Sequence, residues 1–172
     1  MSSPDKSALR KTDIHTKKIA TAALLATLAL IFSYVEAMIP FFVSMPGVKL
    51  GIANLVVLIA LYKLDIRYAF AINLVRIVVS GLLFSGLFGM IYSLAGGMLS
   101  LLVMWILKKT DLFSVVGVSM AGGVAHNVGQ LIIASALVSD LRMFIYMPVL
   151  MFSGIVSGIV IGIICHFIMR RV

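Results

Sequence analysis

Residues 68–107 read YAFAINLVRIVVSGLLFSGLFGMIYSLAGGMLSLLVMWIL, a continuous apolar stretch of 40 residues that holds a single formal charge, Arg76. As one helix it would be about 60 Å long at about 1.5 Å per residue. A bilayer's hydrocarbon core is about 30 Å thick, so the stretch must fold back on itself. Ser80-Gly81 or Ser85-Gly86 supplies the break, which predicts two membrane spans, 68–84 and 87–107.

The same pattern extends in both directions. Lys63, Asp65 and Arg67 form a polar turn before the stretch, and Lys108, Lys109 and Asp111 form one after it. Upstream, Ile19–Ile39 and roughly Leu50–Tyr62 are apolar, separated by a loop with Pro40, Pro46 and Gly47. Downstream, Leu112–Val138 and Phe144–Met169 flank the turn Ser139-Asp140-Leu141-Arg142. The fold class that follows is all-α: a polytopic bundle of six transmembrane helices forming one domain over residues 19–172, behind a basic tail at 1–18. The run Ile19–Ile39 exceeds the h-region of a cleaved signal peptide, about 7–15 residues, and ends in Glu36 and Pro40 with no small-x-small cleavage site.

Composition agrees. The chain is 62% hydrophobic and 12% charged, against about 45–50% and about 25% in soluble domains; its mean hydropathy is +1.18. A net charge of +8 in a soluble protein would suggest nucleic acid. Here the basic residues flank the spans instead. The tail, the two polar turns and the C-terminus carry five, two, two and two of them, against Lys49 and Arg142 in the other loops. The positive-inside rule then places both termini in the cytoplasm of a cell-membrane protein. Cys165 is the single cysteine, which excludes an internal disulfide or a cysteine-built metal cluster. No metal or cofactor site is expected, since no second His or Cys stands at chelating distance from His126.

Polar side chains within the spans are functional candidates, because a charge in hydrocarbon costs a few kcal/mol. Helix rise places Glu36, Asn54, Arg76, Ser93, His126, Asn127 and Gln130 between mid-membrane and the outer surface, with Lys49 at the outer mouth of the second span. His126 and Gln130 share a face at i, i+4, as do Arg76 and Ser80. Together they predict an outward-opening pocket. Interhelical pairing, including a Glu36–Arg76 ion pair, is the alternative. Arg76 and Lys49 would favour a ligand with a carboxylate or phosphate. Two small-residue ladders, Gly154-x3-Gly158-x3-Gly162 and Ala121-x3-Ala125-x3-Gly129, predict close helix packing. Ala22-x3-Ala26 could pack within the bundle or against another subunit.

Enzymatic signatures are missing. The sequence has no Gly-x4-Gly-Lys-Ser/Thr loop, no Gly-x-Ser-x-Gly elbow and no aspartate pair spaced for magnesium–diphosphate binding. A hydrolase or synthase acting alone is not expected.

Three motifs carry a resemblance: Pro46-Gly47-Val48-Lys49-Leu50-Gly51-Ile52-Ala53-Asn54, Tyr92-Ser93-Leu94-Ala95-Gly96-Gly97 and Gly123-Val124-Ala125-His126-Asn127-Val128-Gly129-Gln130. They resemble the Gx transporter family, also called heptaprenyl diphosphate synthase component I, which is similar to the S components of energy-coupling factor (ECF) transporters. That resemblance implies a six-helix subunit binding a small molecule from outside. It would be partnered by a transmembrane coupling subunit and ATPase subunits. It also implies that Ala22 and Ala26 form the docking face and that loop 40–49 covers the substrate. The enzyme name implies instead an accessory role in prenyl-chain and menaquinone synthesis or quinone-linked electron transfer.

Overall fold

The computed structural model describes residues 6–38 and 51–171. They are helical throughout: α1 (Lys6–Met38), α2 (Ile52–Lys63), α3 (Ile66–Ser80), α4 (Gly86–Thr110), α5 (Val115–Val138) and α6 (Met147–Arg171). A π-helical turn, Gly81–Ser85, joins α3 to α4, and a short 3-10 segment, Leu141–Tyr146, leads into α6.

The chain reverses at Gly86, whose φ of +69° belongs to the left-handed region where only glycine is unstrained. The reversal is proved by contact. Asn73 Nδ2 donates to the carbonyl oxygen of Gly97 at 3.0 Å, whereas residues that far apart on one straight helix would be separated by roughly 36 Å. Of the two breaks the sequence allows, the turn falls at Ser85-Gly86, while Ser80-Gly81 begins the π-helical turn.

The molecule has an apolar surface, and polar side chains lie within it beside an apolar core. Leu24, Leu82, Phe152 and Phe167 are exposed, while Asn54, Asn73, Arg76, His126, Asn127 and Gln130 are buried. Water would select the reverse, and hydrocarbon selects this arrangement, since unsatisfied polar groups are costly there. The protein is a helical membrane protein. By length and composition, four runs can cross a bilayer: Ile14–Met38, Ile66–Thr110, Val115–Val138 and Leu141–Arg171.

By that measure the count is four rather than the expected six, for two reasons. Ile66–Thr110 is one apolar run that contains the α3–α4 reversal. Ile52–Lys63 has 12 residues, short of the roughly 20 a straight crossing needs. It is also the central core helix. Residues 53–58, 60 and 61 are buried, and α1, α3, α4 and α6 all pack against it. A helix enclosed on all sides is apolar on all sides, which explains its lack of a polar face.

The basic tail, read from the sequence as a short polar segment or as the start of the first helix, is helical from Lys6, where α1 begins. No Gly or Pro interrupts Lys6–Met38, and its Lys, Arg, Ala and Leu are strong helix formers. Ala22 and Ala26 are half-buried against the hydrophobic core. Their buried side packs within the bundle.

Small residues set the α5–α6 distance. A Cβ at Gly158 would lie 2.6 Å from Met120 Cα, and one at Gly162 would lie 2.7 Å from Val116 Cα. Gly154 faces Gly123 backbone to backbone. The α6 ladder therefore packs as its spacing predicts. The α5 ladder divides: Gly129 abuts Ala95 and Gly96 of α4, while Ala121 and Ala125 line an apolar groove with Leu99, Val103 and Ile155. Gly158→Val should lower the stability of the detergent-solubilised protein by about 1–3 kcal/mol through overpacking. Gly117→Ala, where an added Cβ meets nothing closer than 3.7 Å, should be neutral or stabilising by about 0.5–1 kcal/mol. Thermal unfolding of the two variants checks the contrast.

Candidate functional site

The basic turns collect at one end of the bundle. There Lys108 Nζ donates to the carbonyl oxygen of Leu61 at 2.6 Å and sits over the Tyr62 ring, while Lys109 sits over Trp105. At the opposite end lies a partly enclosed cavity of about 320 Å³. It is formed by the C-terminal turns of α1 and α3, the start of α2, the first half of α4 and one face of α5.

Six of the eight predicted ligand-binding residues line it: Glu36, Asn54, Arg76, Ser93, His126 and Gln130. Lys49 and the 40–49 loop lie outside the described residues. Asn127 does not line the cavity. It is buried, and its Nδ2 donates to the carbonyl oxygen of Leu150 at 2.7 Å, bonding α5 to α6. One residue is about 100° of helix rotation, so the neighbour of a cavity residue faces another helix.

The described parts of the motifs have local roles, residues 46–50 of the first lying outside the described residues. Gly51 takes a φ of +73° at the start of α2 and offers no side-chain cap. The first amide, Ile52 N–H, donates instead to Glu36 Oε1 of α1 at 2.9 Å. The carboxylate thus meets the partial positive charge of a helix N-terminus. Asn54 Nδ2 donates to Ser100 Oγ at 3.3 Å, tying α2 to α4. A Cβ at Gly97 would crowd Ile77 and Asn73, and one at Gly96 would crowd His126 and Gln130. Those two glycines let α4 approach α3 and α5.

Arg76 is 8% exposed. Its Nη2 donates to Asn73 Oδ1 at 2.7 Å, and Asn73 is anchored through Gly97. Nε is buried without a partner. Glu36 is near enough to act on Arg76 electrostatically, but one of its oxygens is committed to the α2 terminus. The cation is therefore held by a neutral amide and faces a cavity, an arrangement suited to an anion.

Sequence reasoning missed Ser33, Phe84, Ser85, Gly89 and Tyr92 as lining residues. Ser33 lies three residues before Glu36 on the same helical face, which is the signal that could have found it. Phe84 closes one wall by edge-on contact with Tyr34, the ring centroids 5.7 Å apart.

An apolar-surfaced helical bundle with a polar cavity at one end defines the class as a helical membrane protein. The model of the heptaprenyl diphosphate synthase component I family matches residues 25–168. The chain belongs to that family. No curated protein and no solved structure matches the chain.

Proposed function

We propose that this chain is a non-catalytic, ligand-binding membrane subunit that acts as an accessory component of heptaprenyl diphosphate synthesis, holding a small anionic molecule in the cavity around Arg76. The observation that carries the ligand assignment is the buried guanidinium, bonded to a neutral amide and open to the cavity. Family membership supports the pathway. The acids Asp5, Asp13, Glu36, Asp65, Asp111 and Asp140 are scattered along the chain, so the condensation chemistry falls to a partner subunit.

If the reading holds, membranes of a deletion strain make less heptaprenyl diphosphate. The wild-type chain restores the output and Arg76→Gln restores it poorly, by about a tenth or less if the ion pair with the ligand is worth 1.5–3 kcal/mol. Radiolabelled prenyl products measured in isolated membranes decide the point. Output unaffected by deletion would overturn the pathway assignment.

A second reading is favoured by the position of the cavity at the end opposite the basic turns. In it the chain is an S-component-like subunit of an ECF-type transporter, paired with a transmembrane coupling subunit and ATPase subunits. Co-purification with ATPases rather than with a prenyl synthase distinguishes the two. In the second reading the half-buried Ala22 and Ala26 of α1 form the docking face for the coupling subunit.

Both readings place six crossings in the cell membrane, with α2 as a short crossing, α3 and α4 as separate ones and both termini cytoplasmic. The positive-inside asymmetry of the turns supports this. In a Cys165→Ser background, an impermeant thiol reagent applied to intact cells should label Leu87→Cys and Leu141→Cys and spare Lys109→Cys. The opposite labelling would reverse the orientation.

A further inference from the structure

The cavity holds a second unsatisfied group besides the guanidinium. Among the buried amides Asn54, Asn73, Asn127 and Gln130, three are bonded across helices: Asn54 to Ser100, Asn73 to Gly97 and Asn127 to Leu150. Gln130 differs. It is 5% exposed, lines the cavity, and has both Nε2 and Oε1 buried without a partner. Exchanging the two atoms would leave the same deficit. A buried donor and a buried acceptor are each costly to leave unmade, and none of the described residues relieves them here.

The side chain is nonetheless held in place. The absent Cβ of Gly96 makes its room, since one there would lie 2.8 Å from Gln130 Cγ. Ser33 Oγ, from α1 in the same lining, is likewise buried without a partner. A positioned amide with both edges unused is matched by a group presenting an acceptor and a donor side by side. A lactam, imide or ureide does so. The volume of about 320 Å³ equals roughly ten water molecules at about 30 Å³ each, which sets a small-molecule scale.

Resting on the reading that this cavity takes an anion, we infer that its ligand is a small molecule carrying an anionic group and an amide-type donor–acceptor edge, the first held by Arg76 and the second by Gln130. Ser33 supplies a further hydroxyl. A plain carboxylate or inorganic anion satisfies half of the site, and an uncharged lactam satisfies the other half.

Matched probes test this on the purified full chain in detergent. 5-Oxoproline and cyclopentanecarboxylate are ring monoanions that differ in the lactam; orotate and benzoate form a second pair differing in the imide. Calorimetric titration should show the amide-bearing member of each pair binding about tenfold tighter or more. In Gln130→Met the ratio should fall to about one, with the thermal midpoint of the free protein unchanged or raised, because the orphaned polar atoms are gone. Gln130→Leu repeats the test with a different shape. Arg76→Gln should lose both members of each pair.

Equal binding within the pairs in the wild type, or a ratio that persists in both Gln130 variants, would overturn the inference while leaving the anion site intact, provided Arg76→Gln still abolishes binding. Failure of all four anions to bind would remove the inference and the reading of the site together.

Discussion

A guanidinium buried among membrane helices must be surrounded by protein, and much of this fold can be traced to how Arg76 is accommodated. Its charge costs a few kcal/mol in hydrocarbon, so α3 turns that face inward. Asn73, one turn earlier, accepts from it and donates in turn to Gly97 of α4. That bond requires α3 and α4 to touch, and Gly97 permits the touch by having no side chain. The reversal at Gly86 brings the two helices together. A substitution at any of these positions would loosen the guanidinium's support.

Charge is distributed so that the cation keeps its field. Glu36 could have neutralised Arg76 outright. One carboxylate oxygen instead caps α2, whose left-handed Gly51 supplies no cap of its own. The negative charge is thereby compensated by a helix terminus, and the positive charge faces the cavity. The same division appears among the amides: three of them join helices and Gln130 is left unengaged. Groups that hold the bundle together are distinct from those available to a guest.

Much of the architecture is legible in the sequence because hydrocarbon imposes simple rules. The length of 68–107 forces a reversal, and the depth of each polar residue, counted from helix rise, gathers six of the predicted residues at one cavity. Direction around a helix is harder to read. Asn127 adjoins His126 yet faces α6, and Ala22-x3-Ala26 has the same spacing whether it faces a partner or the core, against which it is half-buried. Ser33 escaped notice because a lone serine on an apolar helix resembles many that bond their own backbone. The shortness of α2 is visible in the sequence, but its apolar run does not show that helices cover it on every side.

The most direct measurement is the reactivity of a cysteine placed in the cavity wall. In a Cys165→Ser background, Ser33→Cys should react with a charged, water-soluble thiol reagent, and a cysteine at Ser100, which is 0% exposed and bonded to Asn54, should not. Reaction at Ser33→Cys slowed by a bound anion would show polar side chains from separate helices meeting in one space open to solutes. If both positions are equally inert, the hydrophilic groups are sealed in pairs and no guest molecule has a place among them.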